Sequence, residues 1–300
     1  MDAHVVSEGW VMLKRNLTAA TLIAVSLFFI LYLRTLFTEL TDILFFAFMA
    51  VGAFEMYDVG RKAGYKPMFL PIIAYLIAVY PLFYFFSAEG ILFAVLIASL
   101  MALSSYLFRR QNYESADLEY SLFILIYPLL LCSVFFLINH ADGNLLGLFL
   151  VLFITLLSDA FALFSGLLFG KKKLMEDVSP KKTVAGAVGA YVGGLLGGVT
   201  VFLLFDLFAV FKNWRNVGLL ALSDKLYVSI PLYVFLSFVG TTLAIIGDLV
   251  ASWLKRKFRI KDFGKIFPGH GGVMDRLDSL LFVAPFICLF FVVFNEVTPL

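Results

Sequence analysis

Long apolar stretches separated by short polar segments dominate the chain. A bilayer core about 30 Å thick needs about 20 apolar residues per helix, and this rule divides the chain into candidate spans. They run over 17–37, 41–57, 68–87, 90–108, 120–139, 144–169, 184–211, 226–254 and 278–297. The pattern predicts an all-α integral membrane protein with about nine transmembrane helices, the second short and the seventh long.

No linker divides these spans, so residues 1–300 are predicted to form a single polytopic membrane domain. Within it, we expect 1–140 to supply N-terminal helices and 141–300 to carry the cytoplasmic motif loops. The composition agrees, because 62% hydrophobic and 15% charged residues depart strongly from the ~45–50% and ~25% of soluble domains. Nucleic-acid binders, coiled coils and disulfide scaffolds are excluded, and no removable signal peptide is expected.

Basic residues are distributed on one side of the predicted spans. With the N-terminus in the cytoplasm, nineteen of the 23 Lys and Arg residues fall on the cytoplasmic side. The remaining four are Arg34, Lys212, Arg215 and Lys225. Positive charge marks the cytoplasmic side of membrane proteins. We therefore predict a multi-pass protein of the inner membrane with a cytoplasmic N-terminus and the C-terminus outside.

The loop after span six carries a candidate anion site. Ser179 and Pro180 are typical of an N-cap and a first helical position, and Lys181, Lys182 and Thr183 follow. Free N–H groups at a helix start, together with lysines, can bind phosphate. The alternative interpretation is a capped helix whose lysines only mark the cytoplasmic side.

The loop after span eight compresses many opposite charges around a His-Gly-Gly segment. Basic side chains neutralise phosphate oxygens beside a metal ion, and glycines let backbone N–H groups approach a phosphate. We therefore expect a polyphosphate to bind to this loop. The residues concerned are Lys255, Arg256, Lys261, His270, Gly271, Gly272 and Arg276. A solvated helix end, the alternative, does not explain this density of charge.

Carboxylates flank this loop and enter the predicted spans. Asp248 lies near the end of span eight, while Asp275 and Asp278, three residues apart, are expected to share a helix face. Asp159 lies about 15 Å inside span six, which suggests a polar cavity open to the cytosol. Carboxylates without a Cys or His cluster suit Mg²⁺. These four are the candidate metal ligands.

Two further features of the spans are interpreted as structural. Glu55 and Asp206 lie near or within spans, but nothing in the sequence connects them with the basic loops. Gly189, Gly193 and Gly197 repeat every four residues on one face of span seven, which lets helices approach closely. We expect that face to pack within the monomer rather than to form a dimer seam.

Residues 252–278 resemble the signature of the phosphatidate cytidylyltransferases (CDP-diacylglycerol synthases). That signature is S-x-x-K-R, then K-D, then P-x-H-G-G, then D-R-x-D. It is filled here by Ser252, Lys255, Arg256, Lys261, Asp262, Pro268, His270, Gly271, Gly272, Asp275, Arg276 and Asp278. The segment 159–186 also resembles the family, whereas Ala185, Ala251 and Leu163 depart from its common pattern.

The resemblance implies transfer of the cytidylyl group of CTP to phosphatidic acid, with Mg²⁺, in a homodimer whose active site faces the cytoplasm. A second metal ion or a monovalent cation is left open. The implied catalytic residues are Asp248, Asp275, Lys255 and Ser252, which makes 141–300 the expected catalytic half. The implied substrate-binding residues are Ser179, Lys181, Lys182, Thr183, Arg256, Lys261, Asp262, His270, Gly271, Gly272 and Arg276.

The chemistry of the residues is compatible with this reaction. A phosphate monoester has a second pKa of ~6 and is largely dianionic at neutral pH, so no general base is required. One alternative is a transporter of a phosphorylated metabolite, but it predicts basic groups on both faces and often an internal repeat. A polyprenyl-phosphate transferase is the other, although such enzymes carry paired aspartates in different loops.

Overall fold

The computed structural model describes residues 32, 34–141, 144–210, 212, 219, 221–223, 225–267 and 271–297. The predicted first span, 17–37, lies outside them except at its end. The described residues form ten helices and one hairpin of two strands, β1 (Lys173–Met175) and β2 (Ser179–Thr183). The helices are α1 (Arg34–Leu36), α2 (Glu39–Lys62), α3 (Phe69–Phe108), α4 (Ser115–Ile124), α5 (Leu131–His140), α6 (Asn144–Phe169), α7 (Val184–Phe202), α8 (Leu226–Lys257), α9 (Met274–Leu277) and α10 (Leu280–Val297).

Six helical segments in the described part of the chain are long and apolar enough to cross a membrane. They are α2, α3, Ser115–His140, α6, Val184–Leu207 and α8, with α10 as a shorter apolar helix. Two of them contain a π-helical turn, at Leu125–Leu130 and Leu203–Leu207. The predicted all-α membrane architecture is confirmed at this level, with one short hairpin added.

Helix α3 is interrupted at Ser87, where φ is 51° and ψ is −127°. A Cβ placed on Gly90 would lie 2.1 Å from the carbonyl oxygen of Leu82. In a straight helix, residues eight apart are separated by about 12 Å, so the chain folds back at Ser87. The shorter half, 69–86, is about 27 Å long, close to the thickness of a bilayer core. The break lies at the predicted boundary between spans 68–87 and 90–108.

The chain divides into two compact units, 1–133 with 258–276, and 134–257 with 277–300. In the first unit, polar side chains inside the apolar core satisfy one another or the backbone. Tyr75 and Ser133 share a hydrogen bond of 2.7 Å, and Tyr120 Oη donates to the Met56 carbonyl at 2.7 Å. The loop between α8 and α9, 258–273, belongs to this unit and is called the motif loop below, whereas the end of α8 belongs to the other unit.

The second unit is organised around the glycine face of α7. A Cβ on Gly193 would lie 2.1 Å from the Leu157 carbonyl oxygen of α6, and one on Gly194 would lie 1.8 Å from Thr241 Oγ1 of α8. Only glycine permits these approaches, since neighbouring backbone or side-chain atoms occupy the position of any Cβ. The predicted packing of this face within the monomer is confirmed.

Helix α7 begins at Val184, the predicted start of span seven, and not directly after Ser179. Ser179 was expected to be its N-cap, but 179–183 forms strand β2, with Met175 opposite Ser179 and Lys173 opposite Thr183. Thr183 has an extended backbone, and its Oγ1 accepts the Gly186 N–H at 3.0 Å. The predicted N-cap is therefore wrong, because the hairpin uses the Ser179 segment and Thr183 supplies the capping oxygen.

Asp275 and Asp278 do not share one helix face, contrary to expectation. Helix α9 ends at Leu277, and a turn at 278–279 separates it from α10. In that turn Asp278 Oδ1 accepts the N–H of Ser279 at 2.8 Å. Short polar side chains that bond to nearby backbone compete with helix formation, which accounts for the break.

Candidate functional site

The end of helix α8 presents four of the predicted residues. Asp248, Ser252 and Lys255 are spaced by four and three residues and therefore lie on one face. Ser252 and Lys255 are half-buried, and Arg256 is exposed. A carboxylate, a hydroxyl and two cations are thus arranged within the last three turns of one helix.

Lys182 of strand β2 forms an ion pair with Asp248 of α8. Their side chains are 22% and 34% exposed, so water screens this pair less than a pair on an open surface. The contact joins the two parts of the second unit that the sequence singled out separately, the lysine-rich hairpin and the end of α8. It places Lys182, a predicted phosphate-binding residue, beside a candidate metal ligand.

Close packing around Thr183 determines where the hairpin lies. A Cβ on Gly170 would lie 2.8 Å from both Thr183 Cγ2 and Thr183 Oγ1. Two of the first three helical N–H groups are already engaged, since Val184 donates to the Lys172 carbonyl at 2.9 Å and Gly186 donates to Thr183. Any anion binding here must therefore depend on the lysine side chains more than on a helix N-terminus.

Gly247 lets the start of α10 approach α8 immediately before Asp248. A Cβ on Gly247 would lie 2.5 Å from the Asp278 carbonyl oxygen and 2.9 Å from the Phe282 ring. The second unit therefore contains Asp248, Lys182 and the Asp278 backbone within one small region.

In the first unit, Asp275 organises the motif loop. Its buried Oδ2 accepts the N–H of Phe263 at 2.9 Å and that of Gly272 at 2.8 Å. Gly271 has φ +85°, and a Cβ there would lie 2.5 Å from the same oxygen. This conformation and this approach both require glycine. The N–H of Gly272 is thus used inside the loop, whereas the sequence had suggested it for a phosphate.

Glu55 is the residue that sequence reasoning missed. It is buried on α2, and its carboxylate accepts the N–H groups of Val273 at 3.0 Å and Met274 at 2.9 Å. A Cβ on Gly264 or Gly272 would lie 2.0 Å or 2.3 Å from Glu55 Oε1. The expectation that nothing connects Glu55 with the basic loops is wrong. An acidic residue inside an apolar membrane helix is energetically costly, and this was the signal in the sequence that Glu55 has a specific role. The sequence did not identify its hydrogen-bond partners.

Four of the other predicted residues have exposed side chains. Lys261, Asp262 and Arg276 are exposed on or beside the motif loop, and Asp159 is exposed on α6. His270 lies outside the described residues, as does the Lys181 side chain. Within the part of the chain that the structure describes, no three His, Cys, Asp or Glu side chains form a group that could hold a metal ion.

Known proteins resemble this chain over nearly its whole length. A family model described as the cytidylyltransferase family matches residues 13–294. The chain belongs to this family. It is 30% identical to the phosphatidate cytidylyltransferase of Bacillus subtilis, over 95% of this chain and 99% of that protein. The family predicted from the signature is therefore confirmed.

Other members of the cytidylyltransferase family match a shorter part of the chain. The phosphatidate cytidylyltransferase of Haemophilus influenzae is 38% identical over 48% of this chain and 46% of that protein. The Thermotoga maritima enzyme is 38% identical over 54% of each chain. These two matches span about half the length of the relatives, while the Bacillus match spans nearly all of it.

Proposed function

We propose that the chain transfers the cytidylyl group of CTP to phosphatidate, releasing pyrophosphate and forming CDP-diacylglycerol. The observation that carries this function is the match to the Bacillus phosphatidate cytidylyltransferase over 99% of that protein. The signature over 252–278 is the part of the chain most specific to this chemistry. Family membership also removes the support for a transporter or a polyprenyl-phosphate transferase.

The reaction requires electrostatics more than proton transfer. A phosphatidate oxygen attacks the α-phosphorus of CTP, a new P–O bond forms, and the bond to the β-phosphate oxygen breaks. The attacking monoester is already largely dianionic, because its second pKa is ~6. The site must therefore hold two anions together against their repulsion and stabilise the departing pyrophosphate.

The end of α8 and the hairpin supply one set of charges. We assign Lys182 and Lys255 to phosphate oxygens, with Arg256 beside them and Ser252 as a hydroxyl donor. The ion pair between Lys182 and Asp248 keeps both side chains oriented before substrate binds. Ser179, Lys181 and Thr183 complete the substrate-binding assignment on the hairpin.

The motif loop supplies the other set. We assign Lys261 and Arg276, both exposed, to anionic groups of the substrates, with Asp262, His270 and the glycines 271–272 as further binding residues. Asp275 acts within this loop through the N–H groups of Phe263 and Gly272, which give the loop a defined shape.

The donor chemistry fits Mg²⁺ that arrives with a nucleotide. Mg²⁺ commonly uses one or two carboxylates together with substrate phosphates and waters, so a closed set of three protein ligands is not needed. Asp248 and Asp275 would hold the ion, with Asp278 and Asp159 as further candidates. The ion would neutralise negative charge on the leaving pyrophosphate.

We further propose the nine-span topology with a cytoplasmic N-terminus, so that 170–183 and 255–277 face the cytosolic CTP pool. The charge distribution along the chain and the break of α3 at Ser87 support it. The homodimer implied by the family resemblance is part of the same proposal, and light scattering of the detergent-solubilised protein measures it.

Incorporation of radiolabelled CTP into lipid by the purified protein tests the activity directly. Asp248→Asn should lower kcat by at least about 100-fold, because several kcal/mol of charge stabilisation are lost. Asp58→Asn, an exposed carboxylate paired with Lys62 at another helix end, is the matched control. Near-normal turnover in Asp275→Asn would exclude the two-carboxylate assignment, and no CTP incorporation by the unmodified protein would exclude the function.

The hairpin assignment has a separate kinetic signature. Lys182→Ala should chiefly raise the KM for CTP or for phosphatidate. A cation that stabilises the ground state and the transition state equally contributes uniform binding. Lys171→Ala, an exposed lysine just before the hairpin, should leave both constants unchanged. If Lys182→Ala behaves like this control, the hairpin lysines serve only to orient the protein in the membrane.

A further inference from the structure

An open cavity of about 720 Å³ lies in the first unit, and its lining includes none of the predicted site residues. Its lining comes from the end of α2, the segment 65–67 and the segment 111–113 before α4. Three tyrosines, two cations and two side-chain amides face it, and none of the described residues that line it is acidic. This is a lining of hydrogen-bond donors with net positive charge, which suits an anion.

Arg61 and Lys66 provide the charge. Both are exposed, and Lys66 Nζ donates to the Asn112 carbonyl at 3.3 Å, which leaves further N–H groups of the ammonium for a ligand. Nearby carboxylates are engaged elsewhere. Asp58 pairs with Lys62, while Asp117 accepts the backbone N–H groups of Lys66 at 2.7 Å and Glu114 at 2.9 Å.

The cavity walls are held in place by the backbone. At the end of α2, Gly64 has φ +95° and donates to the Arg61 carbonyl at 3.2 Å, while Tyr65 donates to the Gly60 carbonyl at 3.0 Å. This pattern is a Schellman cap, which satisfies the last helical carbonyls. The Tyr65 ring also stacks on Tyr120, with centroids 4.9 Å apart. The site is therefore preformed, which lowers the entropic cost of binding.

An exposed apolar surface continues from the cavity along the membrane-spanning helices. The Tyr57 ring, which lines the cavity, packs edge-on against Phe69 with centroids 5.5 Å apart. Phe54, Phe69 and Leu70 are 41%, 47% and 60% exposed. A ligand that joins a phosphate to acyl chains would contact both surfaces, whereas a free phosphate would use only the first.

We propose that this cavity binds the phosphate headgroup of an anionic glycerophospholipid whose acyl chains lie along Phe54, Phe69 and Leu70. Basic pockets at the ends of transmembrane helices are suited to such headgroups, and tyrosine is enriched at the same level of the bilayer. The lining shares no residue with the predicted catalytic and substrate-binding set, and the lipid used in the test is not phosphatidate, so the site does not depend on the proposed reaction.

Native mass spectrometry of the full-length protein, titrated in detergent with dioleoylphosphatidylglycerol or dioleoylphosphatidylcholine, tests the site. Replacing both cations, Arg61→Gln with Lys66→Gln, should weaken the first phosphatidylglycerol binding event about 30-fold and leave phosphatidylcholine binding unchanged. The matched control is Arg109→Gln with Arg110→Gln, two exposed cations next to the segment 111–113 that do not line the cavity.

The proposal is supported if only the first double variant loses phosphatidylglycerol and both variants elute as the unmodified protein does in size-exclusion chromatography. Equal losses in the two double variants, or no loss in either, would overturn it, because the effect would then be non-specific charge attraction. Full displacement of phosphatidylglycerol by millimolar inorganic phosphate would also overturn it, since the acyl chains would then contribute nothing.

Discussion

Glu55→Gln is the most informative perturbation of the motif loop. Both carboxylate oxygens of Glu55 accept backbone N–H groups at the start of α9, from Val273 and Met274. Glutamine has nearly the same size, but one of its two terminal groups is a donor. The substitution therefore changes the hydrogen bonds of this contact while the packing around it is preserved.

The expected loss of loop-docking free energy follows from the two hydrogen bonds. A hydrogen bond to a charged group contributes about 1.5–3 kcal/mol, and a buried donor left without an acceptor costs about 1–3 kcal/mol. The glutamine oxygen can keep one N–H, while its NH₂ group faces the other. We therefore expect loop docking to weaken by about 1.5–3 kcal/mol, or about 10- to 150-fold in the docking equilibrium.

Hydrogen–deuterium exchange of the full-length protein measures that equilibrium. Amides whose exchange requires opening of the loop should exchange faster by the same factor, so peptides covering 263–277 should show it. Peptides from α6 should not change. Because Glu55 contacts the backbone of the loop, we expect kcat for CDP-diacylglycerol formation to fall by the fraction of molecules in which the loop has opened.

Two comparisons make this test selective. Glu39→Gln, an exposed carboxylate in the first turn of the same helix, should affect neither exchange nor turnover. Gly272→Ala, whose Cβ would lie 2.3 Å from Glu55 Oε1, disturbs the same contact from the loop side. It should raise the exchange rate of the same peptides. If Glu55→Gln exchanged like Glu39→Gln over 263–277, the positioning role would be refuted.

Three further expectations concern the helices and the topology. Thr183→Ala should destabilise the protein by about 1 kcal/mol through loss of the α7 N-cap, whereas Ser179→Ala should have little effect on thermal unfolding. Gly193→Ala, with its Cβ 2.1 Å from a carbonyl of α6, should cost about 1–3 kcal/mol, whereas Val192→Ala on the exposed side should cost much less; equal unfolding temperatures would contradict the packing. A single cysteine at Lys265, in a background without native cysteines, should resist a membrane-impermeant thiol reagent in intact cells, and labelling from outside would overturn the cytoplasmic CTP route.

Some helix bounds, the glycine packing face and the family could be predicted because each depends on residues that lie close together in the chain. The length of an apolar stretch is determined by bilayer thickness, so α6 and α8 were found near their observed bounds. Glycines spaced by four allow close helix contact wherever they occur, and the face of Gly193 indeed packs against α6. The family followed from the signature over 252–278, where many charged and glycine positions recur at set spacings.

Hydropathy and motif spacing are properties of neighbouring positions, so the helical membrane architecture, the family and the set of charged residues available for a site could be predicted without coordinates. Which of these residues contact one another depends on the folded arrangement of the helices. Lys182 reaches Asp248 across 66 positions of the chain, and Glu55 reaches Val273 across 218. The competition between a hairpin and a helix start at Ser179 was likewise decided by pairing with β1. Hydrogen bonds between distant segments depend on how the helices pack, so the periodicity of hydrophobic residues along the chain does not predict them.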